Sequence, residues 1–124
     1  MGTAPVTPEE CLASEPEALA VLRGVEALLA RSGIGCTVRT SRSQVAFRRR
    51  RGFAYLWVPG RYLNRPAAPV VLSIALGRAL TSARFKEVAH PAPKVWMHHL
   101  ELHTAEELDD EVAAWLREAA DRAG

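Results

Sequence analysis

The chain has 124 residues, 48% of them hydrophobic, and a formal charge of only +2 at neutral pH. That length suits one compact domain, and no apolar run approaches the roughly 20 residues that a membrane-spanning helix needs. Cys11 and Cys36 form no spaced pair, which excludes a disulfide framework and, with no charged-then-apolar signal segment, makes a cytoplasmic domain with reduced thiols the expectation.

The first dozen residues, MGTAPVTPEECL, are rich in Pro, Thr and Glu without a clear period. Residues 1–13 are therefore expected to be a flexible leader or a strap on the surface, with residues 14–124 forming a single compact domain. Ser14 and Glu17 have capping-box spacing. Beyond them Val21, Leu22, Val25, Leu28 and Leu29 line one side at helical spacing, which predicts a helix from Glu15 to Arg31 stopped by Gly33 and Gly35.

From Cys36 the period changes. The segments 36–40, 44–48 and 53–58 are short, rich in β-branched and aromatic residues, and bounded by polar or glycine-containing turns, as strands of a meander are. Phe53, Tyr55 and Trp57 alternate and read as one core-facing stripe. Pro59-Gly60 ends the third strand, 64–69 is a loop, and Val70–Leu76, the most apolar segment and hydrophobic on both alternating sides, belongs at the centre of the sheet. Residues 77–87 read as weak helix or irregular chain, Pro91 and Pro93 as a break, and Lys94–Leu102 as the last strand. Thr104 and Glu107 form a second capping box, ahead of an amphipathic helix carrying Leu108, Val112, Trp115, Leu116 and Ala119. The expected fold is α+β: a mainly antiparallel sheet of about five strands covered by N- and C-terminal helices.

Charge is segregated along the chain. Residues 36–94 hold 12 of the 16 Lys and Arg side chains and one acid, Glu87, for a net +11, whereas residues 105–124 carry a net −5. Such a division creates a basic face that attracts nucleic acid, a nucleotide or an acidic protein, unless the acids of the final helix neutralise it within the chain or between subunits. The candidate anion-binding residues are Arg48, Arg49, Arg50 and Arg51 at a hairpin, Arg61 beside Tyr62, and Arg84 with Lys86. Guanidinium groups bind phosphate or carboxylate bidentately, and Tyr55, Trp57 and Tyr62 offer rings on which bases stack.

The segment WMHHLELH, residues 96–103, concentrates three of the four histidines. On a strand His99, Glu101 and His103 share one face, and Trp96, His98, Leu100 and Leu102 the other. With a rise of about 3.3 Å per residue, His99 and His103 stand about 13 Å apart, too far for one ion on a straight strand. A metal would need a bulge or a ligand from elsewhere such as His90, and no metal or cofactor is assigned. His98, His99 and Glu101 remain candidate polar residues of a pocket. Local motifs for nucleophilic catalysis are missing, and Ser73 reads as a residue tucked into the sheet.

The blocks SQVAFR (43–48), FAYLWVPGRY (53–62), RFKEV (84–88) and WMHHLEL (96–102) resemble, in order, the bacterial family catalogued as domain of unknown function 5655, over roughly Leu19 to Ala123. That resemblance implies a compact α+β domain and transfers no catalytic role, although His98, His99, Glu101, Arg84 and Lys86 fall in its characteristic blocks. The sequence reading is a domain that binds an anionic partner through a basic surface. Its alternatives are a small enzyme with a His/Glu/Arg pocket for an anionic small molecule, and a non-catalytic homo-oligomeric interaction module.

Overall fold

The structure, a computed structural model, describes residues 6–61 and 68–124. Helices α1 (Pro8–Leu12) and α2 (Pro16–Arg31) lead into strands β1 (Thr37–Thr40), β2 (Val45–Arg48), β3 (Gly52–Trp57), β4 (Val70–Leu76), β5 (Phe85–Ala92) and β6 (Val95–Leu102). Helix α3 (Asp110–Ala123) closes the chain. The strands form one six-stranded sheet in the order β1-β2-β3-β4-β6-β5, and every neighbouring pair is antiparallel. The α+β architecture with flanking terminal helices is the one expected, with one strand more than the five counted in the sequence.

The additional strand is β5. Only Phe85 is buried along it, and Lys86, Glu87, Val88 and His90 are exposed. An edge strand with Pro91 and several charges lacks the apolar alternation by which strands are recognised. The chain leaves β4, passes beyond the position of β6, forms β5 at the edge and returns as β6 between the two. Residues 85–87, read as the end of an irregular passage, are therefore strand.

Helix α2 buries Ala18, Val21, Leu22, Val25, Leu28 and Leu29, as the helical spacing requires. Its start differs from expectation: Pro16 occupies the first turn and Glu15 the cap position, with no side-chain cap from Ser14. Proline at the first helical turn sacrifices only a donor that would lack an intrahelical partner anyway. The helix ends where Gly33 takes φ 67°, and Ile34 N–H reaches back to Leu29 C=O at 2.9 Å, the six-to-one bond of a glycine-terminated helix.

Of the leader or surface strap expected over residues 1–13, residues 8–12 form α1. Thr7 caps α1 by accepting from the Glu10 N–H, and Cys11 and Leu12 are buried in the main core. Five residues suffice because burial of Leu12 against α2, rather than helix propensity, holds the segment.

One face of the sheet makes the core. Val45, Phe47, Ala54, Leu56, Leu72, Ile74, Leu100 and Leu102 pack with α2 and with Val112, Trp115, Leu116, Ala119 and Ala120 of α3. The second-face residues Ala46, Val71 and Ala75 are buried but stand outside that helix-packed cluster. Both long helices lie on the first face, leaving the second face without a helix among the described residues. Capping at the C-terminal end proceeds in two steps. The Glu107 carboxylate accepts from the His103 and Thr104 N–H groups at 2.6 and 2.9 Å, which stabilises a short 3-10 turn at Ala105–Glu107. Asp109 then caps α3 by accepting from the Val112 N–H at 3.1 Å.

Candidate functional site on the open sheet face

Strand register assembles the site. Arg39 opposes Ala46, Ala46 opposes Tyr55, Tyr55 opposes Ser73, Ser73 opposes His99, and His99 opposes Glu87. Residues directly opposite one another project to the same side, so this row crosses the open face from β1 to β5. Arg48 and Thr37, two residues along the β1–β2 pairing from Ala46 and Arg39, share that side. The face is basic at its β1–β2 end and carries Glu87 and Glu101 at its β5–β6 end.

Two adjoining cavities lie on this face. The first, about 570 Å³, is lined by Ser43, Gln44, Tyr55, Trp57, Ser73, Met97 and His99. The second, about 380 Å³, is lined by Trp57, Pro59, Val71, Lys86, Glu87, His99 and Glu101. Trp57 and His99 belong to both and form the wall between them, with their rings edge to face at 6.3 Å between centroids.

Hydrogen bonds hold that wall in place. Trp57 Nε1–H donates to Ser73 Oγ at 2.9 Å, and Ser73 Oγ lies 2.7 Å from His99 Nδ1. An indole can only donate, so Ser73 accepts from Trp57, and its own proton is free to go to Nδ1, the arrangement that leaves an Nε2–H facing the Glu87 carboxylate. The carboxylate facing Nε2 favours this tautomer, with the His99 proton on Nε2. His99 Nε2 faces Glu87 Oε1 at 4.0 Å, beyond direct hydrogen-bond distance. Burial lowers the His99 pKa below its ordinary value, the Glu87 carboxylate opposing and the neighbouring His98 reinforcing that shift. The imidazole is therefore neutral at physiological pH.

A Ser–His–Glu row invites a nucleophilic reading, and its surroundings weigh against one. Ser73 is 3% exposed and its oxygen already serves Trp57 and His99. It sits within β4 between two paired strands, where ladder hydrogen bonds use the backbone N–H groups that an oxyanion would need. The arrangement orients an imidazole better than it attacks a carbonyl.

The sequence-derived candidates separate clearly. His98 and His99 fall on opposite faces. His98 is fully buried, accepting from the Leu80 N–H at Nε2 (2.9 Å), with Nδ1 3.0 Å from the Trp96 carbonyl oxygen. It packs against Phe85 and belongs to the core. Glu101 lies on the open face and pairs with Lys86 at 3.2 Å. Phe53 is in the core, but Tyr55 and Trp57 line the cavities, so the single core-facing stripe expected for all three is not formed. A register shift between Phe47 and Arg48 disrupts the simple alternation near Phe53.

Among the cations, Arg49 and Arg84 are held by contacts within the fold. Arg49 donates to the Gly35 carbonyl at 2.8 Å and approaches Asp121 at 3.5 Å. Arg84 donates to Asp109, Glu111 and the Glu107 carbonyl, and lies over the Trp115 ring. Arg50 and Arg51 are exposed at the β2–β3 hairpin, and Arg48 is half-buried. Tyr62 and the side chain of Arg61 lie outside the described residues.

His103 approaches Glu107, and His90 stacks on Trp96 with ring centroids 4.1 Å apart. Among the described residues no three His, Cys, Asp or Glu side chains are grouped to hold a metal ion, and no helix is long and apolar enough to cross a membrane. The residues that sequence reasoning undervalued are Ser73, Arg39 and Glu87. They meet the named candidates only through cross-strand register, although Glu87 was conspicuous as the lone acid of the basic segment.

No curated protein and no solved structure matches this chain. A family model does match, over residues 9–122, which takes in nearly all of α1 as well as the whole sheet and reaches ten residues ahead of the resemblance first seen at Leu19. The open-faced α+β domain belongs to the family described as Domain of unknown function (DUF5655).

Proposed function

We propose that this domain binds an anionic partner carrying planar rings, and that single-stranded nucleic acid suits its open sheet face best. The observation that carries the reading is the pair of adjoining cavities that share Trp57 and His99, on the face that carries no helix among the described residues. Bases bind proteins by inserting beside aromatic and imidazole rings, while phosphates follow nearby cations. Successive bases on either side of one wall account for two cavities better than one compact ligand does. Arg39 and Arg48 at the β1–β2 end, with exposed Arg50 and Arg51 at the adjoining hairpin, supply the electrostatic attraction. Arg49 and Arg84 contribute chiefly to the fold.

A pocket enzyme using histidine with arginine has less support, because His98 is in the core and no arginine lines either cavity among the described residues. Four of the acids that would join subunits are engaged within the chain: Glu118 with Arg78, Asp109 and Glu111 with Arg84, and Asp121 with Arg49. The test is fluorescence anisotropy with labelled single-stranded octamers, nucleotides and acidic peptides over a salt series. Binding of the octamers that weakens with salt and is lost in Trp57→Ala supports the proposal. No binding to any octamer at low salt defeats it.

A further inference from the structure

Resting on that reading, we propose that the second cavity selects guanine, with His99 and Glu87 reading its hydrogen-bonding edge. The argument begins with what the cavity can donate and accept. With Ser73 donating to His99 Nδ1, the imidazole presents its N–H at Nε2, toward the Glu87 carboxylate. Glu87 lies across from it, its oxygen 4.0 Å from Nε2 and its side chain 71% exposed. An ionised carboxylate is an acceptor only, with two oxygens able to serve two parallel donors. The gap is too long for a direct bond and leaves both groups available to the edge of a planar group seated in the second cavity.

The pattern presented is one donor followed by a two-oxygen acceptor. Guanine offers the complement along a single edge: O6 accepts, and the adjacent N1–H and N2–H both donate. Adenine and cytosine each offer only one donating position beside an acceptor, and uracil or thymine places a single N–H between two acceptors. A carboxylate therefore gains two charge-assisted hydrogen bonds from guanine and one at most from the others. Glu101 is less suited to the role because Lys86 holds it at 3.2 Å, although the pair closes the cavity's far side. Charge distribution fits the same orientation, since the base edge faces Glu87 while the phosphates of neighbouring nucleotides run toward Arg39 and Arg48, across the sheet at the β1–β2 end.

The test uses thymidine heptamers in which the central position is guanine, adenine, cytosine, hypoxanthine or thymine, titrated against the full chain. The guanine probe is expected to bind about tenfold more tightly than the thymine probe, the discrimination of one good bidentate contact. Hypoxanthine lacks the N2 amine and should lose most of that preference with the protein unchanged. Glu87→Gln should bring the guanine-to-thymine ratio within about twofold of one. Equal binding of all five probes, or a guanine preference unchanged in Glu87→Gln, overturns the guanine assignment and leaves the strand-binding reading standing. Binding of none of the probes defeats both.

Discussion

At the scale of single residues, His98 and His99 are adjacent in sequence and have opposite duties. His98 accepts a backbone N–H and fills space beside Phe85 in the core, so His98→Ala removes a partner and opens a cavity at once. The expected cost is about 2–4 kcal/mol, measured by urea unfolding. His99 instead answers to pH. Because its folded pKa lies below the ordinary value of 6.5, the unfolded chain takes up its proton first as the solution is acidified. The stability that neutral His99 contributes is complete above about pH 6.5 and is lost as pH falls through the lowered folded value. In an NMR titration the His99 midpoint should fall below 6.5. Ser73→Ala should move it upward, because the hydroxyl that favours unprotonated Nδ1 is gone. The same substitution strands the Trp57 indole N–H and should destabilise by about 1–3 kcal/mol; an unmoved midpoint would argue against the Ser73 contact. None of this was legible in the sequence beyond the alternation of faces, since Trp57, Ser73, His99 and Glu87 come from four strands.

At the scale of elements, strands with one strongly apolar face were readable and the edge was not. Val70–Leu76 is buried throughout and announced itself as the central strand. Phe85–Ala92 has the composition of a solvated loop because only one side of its ladder is paired. The two capping devices before α3 show the same division. The Thr104–Glu107 spacing identifies a helical start, yet the helix proper begins three residues after Glu107, where Asp109 provides a second cap. Arg84 joins that start to the β5 end by bonding Asp109, Glu111 and the Glu107 carbonyl. Arg84→Met should loosen this corner and lower stability by about 1–2 kcal/mol, the contact with its exposed acids being discounted for solvent screening. Hydrogen exchange should show faster opening of the first turn of α3. On the other face, a Cβ at Gly52 would collide with the Tyr55 hydroxyl. Gly52→Ala is therefore expected to displace Tyr55 from the first cavity, weakening oligonucleotide binding more than it lowers the melting temperature.

At the scale of the whole molecule, the division between a basic middle and an acidic end is partly reconciled inside the fold. Helix α3 and its cap carry acids to Arg49, Arg78 and Arg84, three of the twelve cations of the basic segment. The cations of the open face are fewer than the sequence total suggests. Salt dependence should accordingly be shallow: the logarithm of affinity is expected to fall with the logarithm of salt with a slope of about −1 to −3. Replacing Arg39 and Arg48 together by serine should reduce that slope by roughly 1.4, since each single-strand phosphate contact contributes about 0.7. An unchanged slope would remove these two residues from the interface.

By itself the sequence determined the class of fold, the buried sides of α2 and α3, the central place of β4 and the opposite facing of His98 and His99. Those features follow from local periods of 3.6 and 2, which neighbouring residues impose on one another. Tertiary structure alone decided that both long helices cover the same face and that β6 lies between β4 and β5. It also decided that Tyr55 and Trp57 look outward, because β3 has apolar residues on both sides and alternation cannot tell which side the helices will cover. The site arises from register across strands distant in sequence. Its chemistry could not be read until pairing placed Ser73, His99 and Glu87 in one row, with Trp57 beside it.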